Sequence, residues 1–256
     1  MAASACLSRS PRLGAAVAAI GFVSTRPGET AGRFTFVGTG ALVNSIGGDA
    51  AYLLTARHSL LFGKRTVQLG RYPSLVAVWD YTSAVTSPAE RRGVFTDLPQ
   101  SVGAELVVAD EVTDFALLRL FDVPAGAMGR TCLGWQRTPF DDTTLHRVSH
   151  PFGGPQTAAC HQRRQADDPN DSRGMVRCCD RPRGVFLLST FEGLLGPGSS
   201  GAPLVTPDLR IVGQLWGVCR CSGQPIALDG AFLHAYPWLQ PWLDPRGVGV
   251  ADAMAL

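Results

Sequence analysis

The chain has 256 residues, of which 45% are hydrophobic and 17% are charged, so it can bury a sizeable core and is not generally disordered. Its net charge of +2 is too small to indicate binding to nucleic acid or to a membrane surface. No apolar run approaches the roughly 18 residues of a transmembrane helix. The 29 glycines and 18 prolines lie between short apolar runs, a pattern that predicts many short strands.

The first half of the chain is predicted to consist of short strands. They are Val17–Val23, Arg33–Val43, Ala51–Thr55, Val67–Leu69, Val76–Val78, Glu105–Val108 and Phe115–Leu120. Residues 1–25 contain Arg9 and Arg12 and no acidic residue, which is also typical of a removable leader. The apolar stretch Ala15–Val23 is short for a leader and suits a first strand equally well.

The second half begins after a predicted linker at Ala125–Trp135. Its predicted strands are His146–Val148, Gly184–Ser189, Gly201–Val205, Ile211–Val218 and Ala231–Ala235. A helix is predicted at Tyr236–Leu243, kept short by its prolines. Residues 161–183 are predicted to be a solvated polar loop, with a substrate-contacting loop as the alternative. So many short strands at close spacing favour a barrel or a sandwich.

The seven cysteines leave at least one unpaired within the chain, because their number is odd. No pair has the spacing of a zinc site. Cys160-His161 together with Cys178-Cys179 could be a metal cluster, but loop thiols or one disulfide are the favoured interpretation. We therefore expect no metal and no other cofactor.

Three segments place a histidine, an aspartate and a serine in settings suited to nucleophilic catalysis. His58 ends an apolar strand, where a base can face a cleft, and Asp114 begins a largely apolar run. A carboxylate at the start of such a strand needs hydrogen bonds, which a histidine Nδ1–H would supply. Ser200 lies among small residues that allow a tight bend and an exposed hydroxyl. A hydroxyl, a base and an orienting carboxylate together form a catalytic triad.

The small residues around Ser200 also suggest an oxyanion hole. They allow backbone N–H groups to converge on one point, and those of Gly198 and Ser200 are the predicted donors. No Gly-x-Ser-x-Gly elbow is present, so an esterase of the α/β-hydrolase type is not indicated.

These segments resemble those of the trypsin/chymotrypsin family of serine peptidases. Ala56-Arg57-His58 is similar to its histidine motif, Asp114–Leu118 to its aspartate motif, and Gly198–Pro203 to its nucleophile loop. Phe34–Val43 resembles its second strand, and Ile211–Gly217 resembles the strand that pairs with the substrate backbone. Pro197–Pro203, Gly213–Leu215 and His150-Pro151 are most similar to the bacterial lysyl-endopeptidase-like subgroup.

The resemblance implies an all-β fold of two antiparallel six-stranded barrels with the active site in the cleft between them. The expected divisions are an N-terminal extension at 1–14, barrels at 15–122 and 123–245, and a tail at 246–256. His58 and Asp114 would lie in the first barrel and Ser200 in the second. The resemblance also implies a disulfide from Cys6 to Cys219 or Cys221.

Two departures from the family pattern carry expectations of their own. Val37 and Ser59 occupy the positions of the usual disulfide beside the histidine, so that bond is absent. Ser199 stands where zymogen-activated members have an aspartate that pairs with a new N-terminus. We therefore expect the substrate pocket to form without cleavage of the chain.

The resemblance places a specificity pocket beside the nucleophile loop. Its candidate residues are Leu194, Leu195, Leu215, Trp216, Gly217, Asp229 and Gly230. An Asp229 side chain in the pocket would select lysine or arginine, because a buried carboxylate needs a cationic partner. If Asp229 is instead a solvent-facing turn residue in Leu-Asp-Gly, the leucines and Trp216 form an apolar slot. The turn is the favoured interpretation.

The predicted function is that of a serine endopeptidase, a monomer that acts on peptides or proteins and has no nucleic-acid or membrane partner. The alternative is a catalytically weak module of the same fold that binds peptides or protein partners. The sequence leaves open whether the protein is cytoplasmic or secreted.

Overall fold

The computed structural model describes most of the chain. The described residues are 11–24, 33–48, 50–61, 66–83, 98–124, 130–164, 175–176, 181–182, 185–221 and 223–255.

The first half of the chain forms a closed barrel of six antiparallel strands. Its elements are helix α1 (Pro11–Ala16) and strands β1 (Val17–Ser24), β2 (Arg33–Val43), β3 (Tyr52–Ala56), β4 (Gly70–Val78), β5 (Gln100–Ala109) and β6 (Phe115–Leu120). The strands pair in the order β1-β2-β3-β6-β5-β4 and back to β1. A 3₁₀ turn, Arg57–Leu60, follows β3. The strand predicted at Val67–Leu69 is wrong, because Leu69 is exposed there and pairing begins only at Gly70.

The second half forms a second barrel. Its elements are β7 (Thr131–Cys132), β8 (Gly134–Gln136), β9 (Thr144–Ser149), β10 (Thr157–Arg163), β11 (Met175–Val176), β12 (Arg181–Pro182), β13 (Phe186–Gly193), β14 (Pro203–Val205), β15 (Arg210–Cys221), β16 (Gln224–Ala231), α2 (Phe232–Leu243), β17 (Val250–Ala251) and β18 (Met254–Ala255). The ring β14-β9-β10-β13-β16-β15 closes through the pairing of β14 with β15. The predicted fold of two six-stranded antiparallel barrels is confirmed.

Three predicted elements of the second half are wrong. The predicted linker at Ala125–Trp135 ends too late, because β7 and β8 begin at Thr131 and Gly134 and their residues there are buried. Residues 231–235 are not a strand, because β16 ends at Ala231 and α2 begins at Phe232. The buried residues of α2 recur at helical spacing, which ties the segment to the core as a helix: Phe232, Ala235, Tyr236, Leu239 and Leu243. The predicted solvated loop at 161–183 begins too early, because residues 161–163 belong to β10 and His161 is buried.

A continuous apolar core joins the two barrels. It combines residues of the first barrel, including Leu54 and Phe115, with residues of the second, including Val148 and Ile211. Helix α2 completes it, since the rings of Phe232 and Tyr236 lie against the fully buried Trp135. This shared core fixes the barrels against each other and therefore fixes the cleft between them.

The described cysteines are in different states. Cys160, Cys219 and Cys221 are disulfide-bonded. Cys132 is free, and burial raises the pKa of its thiol to about 11, so it is unreactive at neutral pH. Cys6, for which a bond to Cys219 or Cys221 is predicted, lies outside the described residues. None of the described helices has the length and apolar character needed to cross a membrane.

Candidate active site

His58 lies at the end of the first barrel, where strand β3 passes into the 3₁₀ turn. Every residue of β3 is buried, so the backbone leading to the histidine is held rigidly by the core. The imidazole itself is 37% exposed and therefore accessible from the cleft.

Asp114 and His58 form a close pair. The carboxylate Oδ2 lies 2.5 Å from the histidine Nδ1, and the backbone N–H of His58 donates to Oδ1 at 3.0 Å. The backbone N–H of Arg57 also donates to the carbonyl oxygen of Asp114, at 2.7 Å. These contacts fix the imidazole with its Nε2 edge away from the carboxylate, which is the orientation a general base needs.

The turn that carries Asp114 is held from the opposite barrel. Asp114 has φ +60°, a left-handed conformation that costs free energy in a non-glycine residue. Gln214 of β15 donates from Nε2 to the carbonyl oxygen of Thr113 at 2.9 Å. A Cβ at Gly230 would lie 2.0 Å from that same oxygen, so only glycine allows the approach. Gly230, predicted in the specificity pocket, instead supports the aspartate turn.

Sequence reasoning missed Gln214 as a member of the site. The available signal is a polar side chain in an otherwise apolar, buried strand segment, Ile211–Leu215. A buried amide there needs a partner, and the structure supplies it across the cleft.

Ser199 is fully buried beneath the nucleophile loop. Its Oγ accepts hydrogen bonds from Ser149 Oγ at 3.1 Å and from the backbone N–H of Gly196 at 3.3 Å. Its backbone N–H donates to the Gly196 carbonyl oxygen at 2.9 Å. The Ser199 hydroxyl is thus satisfied by its neighbours. An aspartate at this position would instead need a cationic N-terminus to compensate its charge.

Each peptide group of the nucleophile loop is held by a hydrogen bond to its carbonyl oxygen. Phe152 N–H donates to the Pro197 oxygen at 2.6 Å, Thr39 Oγ1 to the Gly198 oxygen at 2.8 Å, and Ala202 N–H to the Ser199 oxygen at 3.0 Å. In a trans peptide the N–H points opposite to the carbonyl. The N–H groups of Gly198 and Ser200 are thereby turned away from these partners. Neither has an acceptor among the described residues.

The loop lies directly against the first barrel. The backbone N–H of Thr39 donates to the Ser200 carbonyl oxygen at 2.9 Å. Gly201 has φ +83°, and a Cβ there would lie 2.5 Å from the backbone nitrogen of Ala56. Ser200 therefore sits beside β3, the strand that leads to His58. No hydrogen bond joins these two side chains among the described residues, and such bonds often tighten only when substrate binds.

The structure separates the remaining pocket candidates. Leu195 packs with the buried Leu215 and with Ala202 of the nucleophile loop. Leu194 is half exposed, and Trp216 packs on a different cluster around Phe186. Gly217 faces open space, since a Cβ there would have no neighbour within 4 Å.

The favoured interpretation of Asp229 as a solvent-facing turn residue is wrong. Asp229 lies within β16 and is fully buried. Its Oδ1 accepts a hydrogen bond at 2.5 Å from Nη2 of Arg147, which is also fully buried. Strand pairing on both sides prevents the turn, because Leu187 and Leu215 lie opposite Asp229 in the neighbouring strands.

The metal cluster weighed for Cys160-His161 with Cys178-Cys179 falls partly outside the described residues, because Cys178 and Cys179 are not among them. Within the described residues, no group of three or more potential ligands is placed to bind a metal ion. Cys160 is disulfide-bonded. His161 Nδ1 is hydrogen-bonded to Ser189 Oγ at 2.8 Å inside the second barrel.

Comparison with known proteins identifies the family and the fold of the chain. The family described as lysyl endopeptidase, C-terminal domain, matches residues 16–228. The chain belongs to this family. The predicted relationship to lysyl-endopeptidase-like members of the trypsin/chymotrypsin group is thus confirmed.

Solved structures show the same fold. An HtrA-type protease, AlgW with decapeptide, superposes with a TM-score of 0.58 at 17% identity, covering 93% of this chain and 66% of AlgW. The Rv3671c protease from M. tuberculosis in its active form superposes with a TM-score of 0.54 at 15% identity, covering 94% and 87% of the two chains. The chain therefore spans just under two thirds of AlgW.

Proposed function

We propose that this protein is a serine endopeptidase that hydrolyses peptide bonds through an acyl-enzyme at Ser200. The observation that carries the proposal is the His58–Asp114 pair, with its 2.5 Å contact, on the opposite side of the cleft from two backbone N–H groups without acceptors. Membership in a peptidase family supports the same conclusion.

In the proposed reaction Ser200 Oγ attacks the peptide carbonyl while His58 Nε2 takes its proton. Asp114 holds the imidazole in the tautomer with Nδ1–H and stabilises the imidazolium that forms. The N–H groups of Gly198 and Ser200 bind the oxyanion. His58 then gives the proton to the leaving amine. In the second half of the reaction, water attacks the acyl-enzyme while His58 takes its proton, and His58 returns that proton to Ser200 Oγ as the acid product leaves.

The substrate backbone is proposed to lie along β15 near Leu215–Gly217. The pairing of β15 with β16 is interrupted by a bulge between Leu215 and Gly217, which redirects the strand at the cleft. Gly217 leaves open space there for an extended peptide. An added strand would gain main-chain hydrogen bonds that do not depend on its sequence.

The test is cleavage of an unfolded protein by the wild type and by two adjacent serine variants. Ser200→Ala should lower kcat by about 10⁶-fold, because the nucleophile is lost. Ser199→Ala removes only a buried hydroxyl under the loop and should keep measurable turnover. Substantial turnover in Ser200→Ala together with an inactive Ser199→Ala would contradict the assignment, and an inactive wild type would favour the peptide-binding alternative.

A further inference from the structure

Two opposite charges face each other inside the second barrel. Arg147 on β9 and Asp229 on β16 are both fully buried, and they are joined by the hydrogen bond from Nη2 to Oδ1 at 2.5 Å. They are 82 positions apart in the sequence and meet because the barrel closes. Burial raises the pKa of Asp229 and lowers that of Arg147, and the attraction of each for the other opposes both changes.

This pairing decides what Asp229 can offer to a substrate. A carboxylate selects a cationic side chain when its charge is otherwise uncompensated, because an isolated buried charge is very unfavourable. Asp229 already has a guanidinium against it, supplied by its own chain. A lysine ammonium brought to Asp229 would have to share one buried carboxylate with the guanidinium of Arg147, which already neutralises it.

An apolar cluster packs against the end of the nucleophile loop. Leu195, Leu215 and Ala227 pack together with Ala202, two residues after Ser200. Leu195 and Phe191 are the partly exposed members of this cluster, so they supply the apolar surface that it presents. Such a surface favours an apolar P1 side chain, because burial of its apolar area lowers the free energy of the complex.

We propose that Arg147 is a specificity-determining residue, which neutralises Asp229 and makes the pocket select a large apolar P1 residue instead of lysine. The inference rests on the proposed peptidase function and names its substrate class. It sets this chain apart from the activity in the name of its family.

The test is kcat/KM on matched peptides that differ only in P1: Leu, Phe, Lys and Arg. The concentration of active enzyme is first measured by titration of Ser200 with a fluorophosphonate. We expect Leu or Phe to exceed Lys by about 10-fold or more. Titratable enzyme that prefers Lys or Arg would overturn the inference and leave the proposed function intact. Enzyme without a titratable Ser200 would refute the proposed function, and this inference with it.

Two variants test the role of Arg147 itself. Arg147→Met leaves Asp229 uncompensated, and the ratio of Lys to Leu cleavage should rise by about 10-fold or more. The double variant Arg147→Met with Asp229→Asn is the matched neutral control and should keep the wild-type ratio. Circular dichroism checks that each variant is folded. An unchanged ratio in folded Arg147→Met, or a changed ratio in the double variant, would contradict the proposal. If Arg147→Met does not fold, the proposal is tested by the wild-type ratio of kcat/KM for Leu or Phe to that for Lys.

Discussion

Thr39 connects the first barrel to the nucleophile loop, and its substitution tests whether that connection shapes the oxyanion hole. Its Oγ1 donates to the Gly198 carbonyl oxygen at 2.8 Å and accepts from the backbone N–H of His150 at 3.1 Å. Thr39 is fully buried, so no solvent replaces these bonds when the hydroxyl is lost. Thr39→Val keeps the shape of the side chain and removes both bonds.

The expected loss of stability follows from the two groups left without partners. Each buried unsatisfied group costs about 1–3 kcal/mol, so Thr39→Val should lower the free energy of unfolding by about 2–6 kcal/mol. Release of the Gly198 carbonyl also frees the Gly198–Ser199 peptide plane, which lies between the two predicted donors, Gly198 N–H and Ser200 N–H. Loss of one oxyanion donor costs about 10²–10³ in kcat, which sets the upper limit for the catalytic effect.

The assay measures kcat and KM separately on one peptide, together with urea unfolding. We expect kcat to fall while KM changes little, because the oxyanion contact is made in the transition state. Thr39→Ser retains the hydroxyl and should recover most of the activity. Thr35→Val is the matched control on the same strand, since the Thr35 hydroxyl makes no hydrogen bond within the described residues. A Thr39→Val protein with wild-type kcat and stability would refute the reasoning.

Three further predictions concern pH, activation and oxidation. Burial lowers the pKa of His150 to about 4 from 6.5, so its contribution to stability is complete above pH 6.5 and is lost as the pH falls towards 4. That loss is about 3 kcal/mol by urea unfolding. The full-length chain should react with a fluorophosphonate as completely as a chain lacking residues 1–10, because Ser199 needs no N-terminal partner. Cys6 should be linked to Cys219 or Cys221 in a non-reduced digest of protein from its native source, with up to about 4–5 kcal/mol from closing so long a loop.

Each of these predictions has a result that would contradict it. His150→Gln should make the fall in stability between pH 6.5 and pH 4 smaller, and part of the fall should remain because burial also lowers the pKa of His146 and of His161. An unchanged fall in folded His150→Gln would contradict the prediction. Labelling that appears only after residues 1–10 are removed would show that cleavage activates the chain. A free Cys6 thiol in native material would indicate a reducing compartment or a different pairing.

Local patterns were sufficient to predict the elements that carry the site. His58, Asp114 and Ser200 each stand at a boundary between an apolar strand and a turn, and such boundaries can be read from neighbouring residues. The small residues around Ser200 predicted a tight loop, and the structure places positive φ angles at Gly198 and Gly201.

Contacts between distant segments could not be predicted in the same way. Gln214 reaches Thr113 across the cleft, and Arg147 reaches Asp229 across the second barrel. Each contact exists because the barrels close and pack, and sequence spacing contains no record of it. The turn interpretation of Asp229 was wrong for this reason, since local turn propensity yields to pairing with strands on both sides.

Ser200 is proposed to be an activated nucleophile, and covalent labelling tests this role most directly. The intact protein is treated with a fluorophosphonate, its mass is measured, and the modified residue is located by peptide mapping. We expect one adduct per chain on Ser200, absent from Ser200→Ala and strongly reduced in Asp114→Asn, where the imidazole loses its orienting carboxylate. No adduct on folded wild-type protein, or an adduct on a different serine, would contradict this role.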